Sequence, residues 1–293
     1  MDTLAEGGSF FEGPRWHAGR WWVSDFFQHG VFSCADDGGG LRLEARVDQQ
    51  PSGLGWDTDG CLLVVSMLDR RLLRRTVSGD LDVVADLGSL AHGPCNDMVV
   101  DPAGRAWIGS FGRTASRTAW HGDFDELAGD PPYAPSTLLR VDPDGTASVA
   151  ADGLLFPNGC VITADASTLI VGEMFAARYT AFTITAEGDL VERRLWAELP
   201  GTYPDGCCLD AEGRIWSADA GGSGCRLVEQ GGRIVALVAP PDGYTTYACM
   251  LGGAEGNTLL QCCAPDAHVK RRAPTGEAIL VTTTVDVPHA GLP

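Results

Sequence analysis

The chain has 293 residues, with 39 Asp or Glu against 21 Lys or Arg, for a formal net charge of −18. That acid excess excludes a nucleic-acid partner, whose phosphates need Lys and Arg, and an anionic membrane surface. With 44% apolar residues the chain can build a core, and no apolar run approaches the length of a membrane span.

The first residues, Met1-Asp2-Thr3-Leu4-Ala5-Glu6, form neither a basic nor an apolar segment. No secretory signal is expected, and the protein reads as cytoplasmic. The ten cysteines agree. They contain no CxxC pair, and Cys207-Cys208 and Cys262-Cys263 are adjacent, which disfavours zinc spacings. Several, such as Cys61 and Cys160, sit in apolar runs as small hydrophobes.

From Glu12 onward the chain repeats a short apolar strand, a tight Asp-x-x-Gly-like turn and a second apolar strand. Ser52–Ser66, Asn96–Ser110, Asn158–Gly172 and Asp205–Asp219 align without gaps. Glu12–Asp25 is one residue shorter in the turn, and Cys249–Cys262 is the most divergent copy. Asp and Gly at those offsets supply the local hydrogen bonds and positive φ of a hairpin. Two further strand-like segments separate the hairpins, such as Leu138–Val141 with Ala147–Ala150, or Arg178–Ile184 with Arg194–Leu199.

Four strands per unit of about 40–50 residues is the pattern of a propeller blade. Six units fill the chain with nothing left over. They predict an all-β, six-bladed β-propeller with four antiparallel strands per blade, as a single domain over residues 1–293. No helical periodicity long enough for crossover helices is present; a β-sandwich is the structural alternative. One longer step, at about 111–137, is rich in Gly, Pro and charge and carries Trp120, His121, Phe124 and Tyr133. It predicts an inserted loop or lid, with Trp120 and His121 toward substrate.

The aligned copies allow one position to be compared across blades. The inner strand of a blade borders the central channel, and its first residue lies at one rim. That position holds Glu12, Ser52, Asn96, Asn158, Asp205 and Ala248. Asn and Asp also open turns, but four carboxylate or carboxamide groups converging on one axis form a hard-oxygen ring suited to a divalent cation. The partner strands return to the same rim and end on Asp25, Ser66, Ser110, Glu173, Asp219 and Cys262. Asp25, Glu173 and Asp219 form a second acidic ring that holds the ligands in place or adds a general acid or base. His92, beside Gly93-Pro94-Cys95-Asn96, is the histidine nearest the rim and a proton-transfer candidate. No nucleophile elbow, P-loop or dinucleotide fingerprint is present.

The motifs Glu12-Gly13-Pro14-Arg15-Trp16, Asn96-Asp97-Met98-Val99-Val100-Asp101-Pro102-Ala103-Gly104-Arg105, Pro157-Asn158-Gly159 and Pro204-Asp205-Gly206 resemble those of the gluconolactonase, regucalcin and senescence-marker-protein family, from about residue 9 to about residue 285. The resemblance is nearer to a bacterial branch than to the animal proteins. It implies one divalent ion on Glu12, Asn158 and Asp205, usually calcium or zinc, with manganese or magnesium as further options. It also implies Asn96 at the substrate or a metal-bound water. Two positions depart from the family pattern. Characterised sugar lactonases have an Arg two residues before that Asn, where this chain has Pro94, and Glu173 stands where many members have Asp or Ser.

The expected activity is a metal-dependent hydrolase, a lactonase, acting on a small lactone or related ester. Asp205 is the candidate base and Asn96 the orienting residue; Ser52, Ser110, Asp25, Glu173 and Asp219 stand around them. The alternatives are a calcium-binding or scaffold propeller without catalysis, and a strictosidine-synthase-like or phosphotriesterase-like enzyme. Six blades can stand alone, so a monomer or small homo-oligomer is expected.

Overall fold

The computed structural model describes residues 1–112 and 134–293. The Asp-x-x-Gly turns form as their side chains require. Asp57 Oδ1 accepts the amides of Asp59 and Cys61, Asp101 Oδ1 those of Ala103 and Arg105, and Asp210 Oδ1 those of Glu212 and Arg214. Gly60, Gly104 and Gly213 close these turns at φ of +79°, +81° and +76°, the region that favours glycine. Each turn joins two strands rich in Val, Leu and Ile, and the hairpin then pairs outward with two more.

The product is six four-stranded antiparallel sheets. The inner strands are Phe11–His17, Pro51–Trp56, Cys95–Val100, Pro157–Ile162, Pro204–Leu209 and Thr245–Gly252. Each packs beside the next and the sixth beside the first, closing a ring. This is the six-bladed β-propeller expected from the repeat. Apolar residues buried between adjacent blades, such as Leu54, Val64, Trp107, Val171 and Ile215, form its core.

One expectation needs correction. The six units do not fill the chain evenly, because the strand Asp2–Gly8 belongs to no unit of its own. It pairs antiparallel with Ala278–Thr284, Asp2 opposite Thr282 and Gly8 opposite Ala278, and so supplies the outermost strand of the sixth blade. The strand precedes the first hairpin, so a repeat count that starts at Glu12 cannot assign it.

Every inner strand also shows a register irregularity at its first residues, between Glu12 and Arg15 in blade 1 and between Cys95 and Met98 in blade 3. Such bulges re-aim side chains, and here they surround the first repeat position. The second repeat position is tightly confined. A Cβ on Gly53 would overlap the backbone of Met98, and one on Gly159 would overlap the backbone of Asp205, so neighbouring inner strands approach as closely as glycine allows. Helix is confined, among the described residues, to a short turn at Met174–Ala176 and the single-turn helix Val269–Arg272.

Candidate functional site

The bulges bring the first-position residues together. Glu12, Asn96, Asn158 and Asp205, from four different blades, line one cavity of about 240 Å³, and none is more than 6% exposed. They form a hydrogen-bonded row. Ser52 Oγ donates to Asn96 Oδ1 (3.1 Å), Asn96 Nδ2 to Asn158 Oδ1 (2.7 Å), and Asn158 Nδ2 to Asp205 Oδ1 (2.6 Å). Buried amides with each polar atom engaged in this way are held in a single orientation.

The electrostatics are unbalanced. Burial, then Asp205 and Asp97, push the Glu12 carboxyl well above the usual carboxylate range. Burial and Asp97 do the same to Asp205, against the hydrogen bond from Asn158. Asp97 is itself raised by burial, with Arg15 opposing. Three buried carboxylates thus share one guanidinium, and Arg15 is committed elsewhere: Nε donates to Leu54 O at 3.0 Å, Nη1 to Pro14 O at 2.6 Å, and Nη2 to Met98 O. Buried charge of one sign calls for a compensating ion, and a divalent cation suits two carboxylates and an amide oxygen. No three His, Cys, Asp or Glu side chains form a metal-holding group among the described residues; the set here depends on the amide of Asn158.

Asp97 and Arg15 escaped the sequence reading, although a signal was available. The residue after the first position is glycine in four copies, Gly13, Gly53, Gly159 and Gly206, and Asp97 replaces it in the third. Arg15 likewise interrupts a strand position held elsewhere by Gly55, Val99, Val161, Cys208 and Leu251.

The second acidic ring lies behind the cavity and braces the loops that enter the inner strands. Asp25 accepts the amides of Ser9 (2.7 Å), Phe10 (3.2 Å), Phe27 (3.1 Å) and Gln28 (3.0 Å), while burial raises its pKa. Glu173 accepts Leu155 N at 2.9 Å, Arg178 Nε at 2.8 Å and Thr180 Oγ1 at 2.5 Å. Burial works against its charge, but the arginine and hydroxyl prevail and hold its carboxyl below the usual range. Asp219 accepts Tyr203 N at 2.9 Å and pairs with Arg226 at 3.0 Å. None of the three lines the cavity. Ser110 is buried against Ser136 Oγ (2.6 Å) and Thr137 O (2.9 Å). His92 is exposed, 3.4 Å from Pro135 O, and does not line the cavity either. Trp120, His121 and most of the expected lid lie outside the described residues.

The braced loops present aromatic rings. Phe10, Phe156 and Tyr203 each stand two residues before the first repeat position, and all three line the cavity. Phe156 holds φ at +57°, a strained conformation for a bulky side chain, fixed by the bonds Met174 N to Phe156 O (3.1 Å) and Phe175 N to Leu155 O (3.3 Å). Phe111 and Phe175 pack on Phe156 with ring centroids at 4.3 and 5.1 Å, while Phe26 and Tyr247 pack on Phe10 at 5.5 and 4.7 Å. Two aromatic clusters from opposite sides of the ring therefore wall an acidic floor.

Residues 10–262 match the family model described as SMP-30/Gluconolactonase/LRE-like region. The chain belongs to this family. Within the SMP-30/gluconolactonase family it is 29% identical over 257 residues to a pentonolactonase of Haloferax volcanii, covering 85% of this chain and 79% of that protein. It shares its fold with a gluconolactonase from Xanthomonas campestris (TM-score 0.74, 24% identity, 96% of this chain and 89% of the other). It also shares it with a calcium-binding regucalcin from Agrobacterium tumefaciens (TM-score 0.77, 20% identity, 99% and 95%).

Proposed function

We propose that this protein is a metal-dependent hydrolase that opens a lactone ring by attack of water on the carbonyl. The observation that carries this reading is the row from Ser52 to Asp205 with Glu12 beside it, a rigid oxygen-rich floor whose buried carboxyls favour their charged forms only when a cation meets them. The pentonolactonase and gluconolactonase named above support the lactone as substrate class. Glu12, Asn158 and Asp205 would hold one divalent cation, calcium first, with zinc, manganese or magnesium as alternatives. Such an ion, when bound, polarises the carbonyl and stabilises the charge developing on its oxygen.

The remaining roles belong to the chain's own groups. Asn96, held on both sides by Ser52 and Asn158, orients substrate or water. Asp205 is the candidate base, because Asp219 and Glu173 are tied to arginines and loop amides outside the cavity. The buried charge also suits a calcium-binding propeller without catalysis. No helix of the described residues is long and apolar enough to cross a membrane, and the ten free cysteines support a reducing, cytoplasmic setting.

Elemental analysis of purified protein, with lactone hydrolysis before and after chelation, tests the reading. About one divalent ion per chain and activity lost to EDTA and restored by the ion are expected, with Asp205→Ala inactive. Protein free of divalent metal, or an Asp205→Ala variant that hydrolyses lactones at the parent rate, overturns it.

A further inference from the structure

Blade 5 holds the strands Pro204–Leu209, Ile215–Asp219, Gly224–Val228 and Ile234–Val238. Across it Cys208, Trp216, Leu227 and Ala236 stand opposite one another and so share one face. In blade 6 Leu251, Leu259 and Thr283 do the same. The two faces meet, because Trp216, Leu227, Leu251 and Leu259 belong to one buried cluster. Toward the rim of the Asp-x-x-Gly turns they part around a second cavity, of about 490 Å³. Trp216, Leu227, Ala236 and Val238 line it from blade 5, and Thr283 and Val285 from the other side.

Polar atoms of this interface lack partners. Trp216 is 3% exposed, yet its indole Nε1 has no hydrogen-bond partner among the described residues, and neither has the buried Oγ1 of Thr283 on the facing wall. Gln261 Nε2, one register step along the same face of blade 6, is in the same condition. Three of the six such buried atoms in the described residues therefore fall in one interface, which ties the shortfall to this place. An equivalent tryptophan shows what is missing. Trp107 holds the same repeat position in blade 3, and its Nε1 donates to Asp101 Oδ2 at 3.4 Å, beside Arg105 Nε at 2.6 Å. In blade 5 Arg214 Nε donates to Asp210 Oδ2 at 2.7 Å, but the indole of Trp216 does not reach that oxygen. Asp210 also lines the cavity, so the repeat geometry sets the indole N–H on the cavity side of the blade. A buried donor without an acceptor is costly, and a bound acceptor removes that cost.

The lining selects the acceptor. Asp210, Glu212 and Asp286 bring three carboxylates to the cavity, and Arg214 is already paired with the first two at 2.7 and 2.8 Å. A carboxylate or phosphate would meet like charge there; an uncharged oxygen would not. Leu227, Val235, Ala236, Val238 and Val285 favour an apolar body. The volume of about 490 Å³ lies within the roughly 300–1,000 Å³ of small-molecule sites. We propose that the cleft between blades 5 and 6 binds a small uncharged molecule with an apolar body, whose carbonyl oxygen accepts from the Trp216 indole and the Thr283 hydroxyl. A carbonyl oxygen has two lone pairs and can serve both walls. The site lies at the opposite end of the blades from the acidic floor, yet Trp216 and Asp205 belong to one hairpin of blade 5.

The test adds 2-nonanone, and separately nonanoate, to the full-length protein. A nitrogen-15 correlation spectrum reports the indole N–H groups of the eight tryptophans, and the Trp216 resonance is the one lost in Trp216→Phe. The ketone is expected to shift that resonance saturably with a Kd of about 1 mM or tighter, and nonanoate to bind at least roughly tenfold more weakly. By calorimetry Trp216→Phe, which keeps a flat apolar ring without the donor, should bind the ketone roughly fivefold more weakly. Ala236→Phe, which fills the cleft from the outer strand of blade 5, should weaken it by at least roughly tenfold. If Ala236→Phe fails to fold, Val285→Phe fills the cleft from the facing wall and carries the same expectation. A Trp216 resonance that the ketone leaves unmoved, as a lone bridging water would, overturns the proposal. So does nonanoate binding as tightly as the ketone, Trp216→Phe binding the ketone as tightly as the parent, or unchanged binding in a folded cleft-filling variant.

Discussion

Glu173 separates the two roles open to the outer acidic ring, bracing and proton transfer. Its side chain is fully buried and accepts Leu155 N, both Arg178 Nε and Nη2, and Thr180 Oγ1 at 2.9, 2.8, 3.0 and 2.5 Å. Glu173→Ala strips all of these groups of their partner. Breaking a buried pair costs about 3–5 kcal/mol. Arg178 keeps 36% of its side chain exposed and can be rehydrated, which places the loss near the lower end, about 3 kcal/mol. At roughly 2–4 °C per kcal/mol for domains approaching this size, the midpoint should fall by about 6–12 °C. The freed Leu155–Phe156 turn should raise KM more than it lowers kcat. The pH dependence has a definite sign. The folded carboxyl is held below its usual range, so its stabilisation is complete above the unfolded pKa of about 4.3. It is lost as pH falls through the lower folded value. The midpoint difference between parent and Glu173→Gln should therefore shrink as pH drops from neutral into that range. Differential scanning calorimetry across pH, with steady-state kinetics, reads both effects. A midpoint within about 1 °C of the parent with kcat abolished and KM unchanged refutes the bracing argument and makes Glu173 a proton carrier.

Three further predictions concern the floor, the ring and the thiols. A divalent cation at 100 times its Kd should stabilise the protein by about 2.7 kcal/mol. Glu12→Gln or Asp205→Asn should abolish that shift while raising the midpoint of the chelated protein, since each neutralises one of three crowded carboxylates; thermal melts with and without EDTA distinguish the outcomes. Gly53→Ala drives a methyl group into the Met98 backbone and should cost about 1–3 kcal/mol, read as a lower urea midpoint at unchanged m-value. Burial raises the Cys95 thiol to about 12 and Cys34 to about 11, and Cys61 alone among the ten cysteines is not fully buried. A disulfide reagent should therefore label at most Cys61 in native protein and all ten cysteines after guanidinium.

The architecture was legible because the blade repeats its physics in its residues. An Asp that accepts two turn amides and a Gly at positive φ recur at one offset, and the apolar residues on either side have no other way to be buried. The floor was legible for the same reason: Glu12, Asn96, Asn158 and Asp205 occupy one position in equivalent strands. What escaped is what breaks the repeat. Asp97 and Arg15 are singular substitutions whose meaning depends on facing one another across blades. The Asp2–Gly8 strand pairs with residues at the far end of the chain, which no local pattern encodes. The aromatic walls were hidden because Phe10, Phe156 and Tyr203 precede their strands in irregular loops, where ring direction depends on tertiary bonds such as Glu173 to Leu155.

The pairing of Asp2–Gly8 with Ala278–Thr284 also ties the completion of the ring to the timing of synthesis. Five blades draw all their strands from contiguous stretches of chain and can form as they leave the ribosome. The sixth waits for a partner made at the beginning, across a closure of more than 270 residues. Its entropic cost grows only logarithmically with length, but it must be met before the contact forms. Until then both the first strand and the edge of the sixth blade stay open to other chains, so the last event in folding is also the one most exposed to misassembly.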